Sequence, residues 1–144
     1  MKFSKYFFLF VAGLIGCAVY SQKPSEVVRV EFTSLARGGY NKQVIVTKDS
    51  LFESNSEGRE EVQIMRRKTN PNEWQGLMQS LNNVTLSKIP DLKSPTMKRA
   101  YDGARHSTIS ISTSRGETVT HSFDDEMPNE KLQELMKLII GFKR

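Results

Sequence analysis

An α+β fold, with two helices packed on an antiparallel sheet, is what this sequence predicts, and three features predict it. Val28, Val30 and Phe32 alternate with Arg29, Glu31 and Thr33, the period of two that marks a half-buried strand. Trp74, Leu77, Met78 and Leu81 recur at the i, i+3, i+4, i+7 spacing of a helix with one apolar face. Leu132, Leu135, Met136 and Ile139 make a second such stripe near the end of the chain. Two helices that are each apolar on one side need a sheet to cover them.

The elements follow in order as a β-meander, a helix, a β-hairpin and a helix. After the first strand, Ala36-Arg37-Gly38-Gly39-Tyr40-Asn41 is rich in residues that tolerate a turn. A second strand is expected over Gln43–Thr47, with Val44 and Val46 on one face. Asp49-Ser50 turns the chain into a short strand over Leu51–Glu53. Asn55-Ser56-Glu57-Gly58 reads as the next turn, before a strand whose one face is marked by Val62, Ile64 and Arg66. Asn70-Pro71-Asn72-Glu73 then starts the first helix: Asn70 caps, Pro71 suits the first turn and Glu73 closes a capping box. From Leu86 to His106 the chain reads as a long connection. Its Pro90 and Pro95 favour extended or turn geometry, with Ile89, Leu92 and Met97 pinning it to the core. Ile109 and Ile111 alternate with serines, Ser114-Arg115-Gly116-Glu117 forms a hairpin turn, and Val119, His121 and Phe123 share a face. Asp124-Asp125-Glu126 would complement the dipole of a final helix opened by Pro128, which ends near Gly141, Lys143 and Arg144.

Before all of this stands an export signal. Lys2 and Lys5 are followed by an unbroken apolar run from Tyr6 to Gly16, then by small residues ahead of Gln22. That run is too short for a bilayer span, which takes about 20 helical residues. Residues 1–22 are read as a signal peptide and 23–144 as a single α+β domain. Val19 and Ser21 occupy the −3 and −1 positions of an ordinary cleavage site. The alternative is a lipoprotein signal over 1–16, since Leu14-Ile15-Gly16-Cys17 resembles a lipobox and would leave Cys17 lipidated. The first route predicts a periplasmic or secreted protein, the second a membrane-anchored one. Cys17 is the only cysteine, so no intramolecular disulfide and no cysteine-based zinc site can form.

Composition narrows the function classes. Of the formal net charge of +5, two units belong to Lys2 and Lys5, and the remainder is no basic stripe of the kind nucleic acid demands. The basic residues Lys88, Lys93, Lys98, Arg99 and Arg105 of the long connection face only Asp91 and Asp102, a patch suited to an acidic partner or to plain solvation. The histidines are His106 and His121 alone. Asp102 with His106 is the nearest thing to an acid–base pair, and His121 reads as a hydrogen-bonded strand residue. No nucleophile, base and oxyanion donor can be assembled, so no catalytic residue, metal or cofactor is expected. Asp124, Asp125 and Glu126 lack the spacing and glycine of a calcium loop.

The candidate binding residues are Arg37, Gly38, Gly39 and Tyr40. A glycine pair lets the backbone approach a partner closely, and Arg and Tyr are frequent at binding hot spots. The expectation is a non-enzymatic domain that binds a protein or an envelope component. The Gly38-Gly39-Tyr40 loop, the Trp74/Leu77/Leu81 helix, the Ser107–Phe123 hairpin and Met127-Pro128 before a Leu-rich helix resemble the emfourin-like family of small metallopeptidase inhibitors. Exported domains of Gram-negative bacteria share the layout. The resemblance implies that the Arg37–Tyr40 loop enters or shields a peptidase cleft.

Overall fold

The computed structural model describes residues 26–101 and 103–142. The export segment 1–22, the lipidation candidate Cys17, Asp102 and the terminal Lys143 and Arg144 lie outside the described residues.

Six strands form one antiparallel sheet: β1 (Val27–Ala36), β2 (Tyr40–Thr47), β3 (Ser50–Ser56), β4 (Gln63–Lys68), β5 (His106–Thr113) and β6 (Thr118–Asp124). Their spatial order is β4-β3-β2-β1-β5-β6, so the meander runs outward to β4 and the chain returns to add the β5–β6 hairpin on the far side of β1. The return carries α1 (Pro71–Leu81), and α2 (Gln133–Gly141) closes the chain. The expected α+β architecture is present.

Strand periodicity decides which face is covered. Val30, Phe32, Val44, Val46, Leu51, Ile109, Ile111 and Phe123 point to one side and are buried under Leu77, Leu132, Leu135, Met136 and Ile139. Trp74 packs against the edge of this core, half-buried. The two helices meet where Gly76 leaves room for Leu138, whose methyl carbons would be 3.8 and 3.9 Å from an added Cβ. The opposite face has no layer over it; Ile45 and Phe52 stand side by side on β2 and β3, with Arg66 over the Phe52 ring, and hydroxyls line β5 and β6. On it, Thr108 stands beside Ser122, Ser110 beside Thr120 and Ser112 beside Thr118, pairs of hydroxyls 3.0–3.4 Å apart.

Several expectations are corrected. Val28 does not join the core, because the ladder slips between Val27 and Arg29 and turns it outward. β2 starts earlier than expected, at Tyr40, and β3 runs on through Asn55 and Ser56, which leaves the turn to Glu57–Glu60. β4 begins only at Gln63, after Val62; its core-side residue is Met65, whereas Ile64, like Val62 before the strand, is exposed. Pairing of Glu53 with Met65 sets that phase. Lys42 occupies a core-facing position, buried beside Phe32, with its ammonium 3.7 Å from Glu126.

The long connection is not wholly extended. Leu86–Asp91 makes a 3-10 turn despite Pro90, and its Ile89 is fully buried. A second short turn covers Lys98–Ala100. Leu92 packs partly on the core, but Met97 is exposed. The final helix does not open at Pro128. Met127 N–H donates to the Asp124 carbonyl at 3.1 Å, and Asn129 then caps a 3-10 turn over Glu130–Leu132, its side chain accepting from Lys131 N–H at 3.2 Å. An Asx cap placed after the proline delays the helix by a turn. The capping box at α1 forms as expected: Asn70 accepts from Asn72 N–H at 2.9 Å and Glu73 from Asn70 N–H at 3.0 Å. Glu73 also accepts two hydrogen bonds from Arg67, at 2.7 and 2.8 Å, tying the helix start to β4. Those bonds hold its carboxyl below the usual range.

Candidate functional site

The β1–β2 turn places the predicted loop at one end of the sheet. Gly38 and Gly39 both take positive φ, 93° and 96°, which only glycine adopts without strain. Gly39 has a second constraint: a Cβ there would lie 2.9 Å from the Gly58 carbonyl oxygen. The β1–β2 and β3–β4 turns therefore abut, and the loop is braced.

Tyr40 opens β2 and lies half-buried under Arg105, whose guanidinium is 4.9 Å from the ring centre. Burial pushes the Tyr40 hydroxyl up from its ordinary value against the opposing pull of Arg105, so it stays protonated. Arg105 is itself oriented by Asp125, which accepts from its backbone N–H at 3.1 Å and from Nε at 3.4 Å. Of the four predicted residues, Tyr40 is thus packed, Gly38 and Gly39 shape the turn, and Arg37 is exposed.

Arg37 meets the long connection. Leu35, Ala36 and Arg37 form one wall of a cleft of about 410 Å³, and Arg99, Tyr101, Ala104 and His106 line the other. Tyr101 is 78% exposed and Leu35 52%. Periodicity could not find this second wall, because the connection has none; its cations and its lone tyrosine were the available signal.

The wall is anchored by Asp124. Its side chain is fully buried, and its carboxylate accepts from the Thr96 hydroxyl, from Lys98 N–H at 2.6 Å, from Arg99 N–H at 3.3 Å and from Arg99 Nη1 at 2.6 Å. Burial raises the Asp124 carboxyl, but the hydrogen bonds from Thr96, Arg99 and the two amides outweigh it and hold it down to about 2. This corrects the reading of Asp124 as charge for a helix terminus: it clamps the connection to β6. Asp125 and Glu126 likewise serve Arg105 and Lys42.

The imidazoles stand apart. His106 lines the cleft, whereas His121 is buried in the core, stacked on Phe123 with ring centres 5.5 Å apart. His121 Nε2 accepts from Asn129 N–H at 3.2 Å. Burial first, then the Arg99 charge, lower its pKa and keep it neutral. Among the described residues no three His, Cys, Asp or Glu side chains gather to hold a metal ion, and no helix is long and apolar enough to cross a membrane.

The sequence matches no protein-family model and no curated protein.

Proposed function

We propose that this chain is an exported, non-enzymatic binding domain of the bacterial envelope that grips a partner macromolecule in the cleft between Arg37 and Tyr101. One observation carries the reading: an exposed tyrosine, an exposed leucine and an arginine flank a concave surface whose walls are braced from behind. Arg and Tyr supply most binding energy when they sit in pre-shaped sites, because little side-chain freedom is then lost on contact. The export signal read in residues 1–22 supports the setting, and among the described residues His106 and His121 stand apart, one at the cleft and one in the core, which favours binding over catalysis.

The test is photo-crosslinking in the producing cell. A benzophenone amino acid at Tyr101 is expected to trap a discrete adduct, and the same probe at Thr120 on the open sheet face is not. Equal labelling at both positions, or none at Tyr101, contradicts the proposal.

A second reading is inhibition of a secreted metallopeptidase, supported by the emfourin-like resemblance and by the braced Arg37–Gly39 turn. Rigid projecting loops are what protein inhibitors present to clefts. Titration against a thermolysin-type peptidase decides: inhibition lost in Arg37→Ala supports it, and no inhibition at micromolar concentration removes it.

A further inference from the structure

We propose that a cavity between β3 and β4 binds a primary alkylammonium group, at a site separate from the Arg37–Tyr101 cleft. Glu53, Asn55, Gln63, Ile64 and Met65 line this cavity of about 370 Å³. Glu53 is only 8% exposed, and among the described residues its carboxylate makes no hydrogen bond and no ion pair. Asn55 lines the same cavity, and its Oδ1 is buried with no donor in reach. Glu53 pairs with Met65 and Asn55 with Gln63 across the two strands, which brings these groups together. A buried carboxylate and a buried carbonyl oxygen are each costly without donors. A cation that enters with its own N–H groups relieves both. The Asn55 amide turns about a soft terminal torsion, so Oδ1 can swing to meet it.

Charge and shape define the ligand. The turn beyond the Asn55–Gln63 pair carries Glu57, Glu60 and Glu61 against Arg59, a field that draws cations to this end of the two strands. Lys42, opposite Asn55 on β2, sends its ammonium towards Glu126 and the Phe32 ring and does not line the cavity. A calcium ion gathers about 6–8 oxygens, several of them from carboxylates, whereas Glu53 is the one carboxylate lining this cavity. A guanidinium is matched by the planar fork of a single carboxylate. Acceptors spread over Glu53, Asn55 and Gln63 suit instead the three diverging N–H donors of an ammonium. Ile64 and Met65 offer nothing to a bare ion but give a methylene stem an apolar wall.

NMR titration of the protein with n-butylammonium chloride, against sodium chloride at equal ionic strength, tests this. Saturable shifts are expected at the amides of Glu53, Asn55, Gln63 and Met65, the Asn55 side chain included, and none at Thr120. Tetramethylammonium has the same charge but no N–H to donate, and should leave those amides unmoved; this comparison needs no variant. Glu53→Gln keeps the side chain's shape and should weaken butylammonium binding by about tenfold or more, as loss of a charge-assisted hydrogen bond requires. Its spectrum away from the cavity should match the parent's. N-acetyl-lysine methylamide separates the two sources of such a group. Tighter binding of this probe than of butylammonium assigns the site to a partner's lysine, and the reverse order assigns it to a free amine. Shifts no larger than those from sodium chloride overturn the proposal. So does an equal response to tetramethylammonium, binding indifferent to Glu53→Gln, or saturation by calcium where butylammonium is silent.

Discussion

Asp124 joins the sheet to the loop that faces Arg37, and its energetics can be stated with a sign. In the folded chain its carboxyl sits at about 2, against 3.8 for the free group. The unfolded chain therefore takes up the proton first as pH falls. The stabilisation from Asp124 is complete above 3.8 and is lost as pH falls from there through about 2. Replacing it with alanine strands the Arg99 guanidinium and two backbone amides, and the expected cost is about 3–5 kcal/mol by urea denaturation. His121 acts in a separate window. Its folded pKa is lowered from 6.5, so the unfolded state protonates first and stability declines as pH falls below 6.5. NMR titration of the His121 ring should give a midpoint below 6.5.

At the scale of single elements, the β1–β2 turn and the α1 cap are the sensitive points. Gly39→Ala must place a Cβ against the Gly58 carbonyl at a positive φ, whereas Gly38→Ala meets the same φ but open space. Thermal denaturation should show Gly39→Ala costing about 1–3 kcal/mol and the Gly38 variant less. Asn70→Ala removes the acceptor for Asn72 N–H, a loss of about 1 kcal/mol. The elements differ in how well they could be read from sequence. Helix stripes, the Asn70 capping box and the central strands were legible because burial on one face imposes a period on the residues. The phase of β4 is not legible, since an edge strand half in water gives weak periodicity, and Ile64 and the preceding Val62 look like core. Arg37 was legible by residue type. The Arg99–His106 wall was not, because only the tertiary contacts of Asp124 fix where that irregular segment lies. The exposure of Met97 is illegible for a related reason: apolar character alone does not say which way an aperiodic loop turns it.

Across the whole molecule, the two faces of the sheet divide the labour. One carries the packed core beneath both helices, so Leu77→Ala and Leu135→Ala should each cost about 2–5 kcal/mol in urea unfolding. The other is solvated and lined with hydroxyls over β5 and β6, where Thr120→Ser should stay within about 0.5 kcal/mol of the parent. Stability thus resides in the layers, the braced β1–β2 turn and the Asp124 clamp, whereas the exposed cleft side chains Arg37 and Tyr101 can change without loss of the fold. The most direct measurement of the central claim is the Arg37→Ala/Tyr101→Ala double variant, scored for its urea midpoint and for co-purification of the crosslink-identified partner. The account predicts an unchanged midpoint with partner binding lost. Binding that survives in the folded double variant would contradict it.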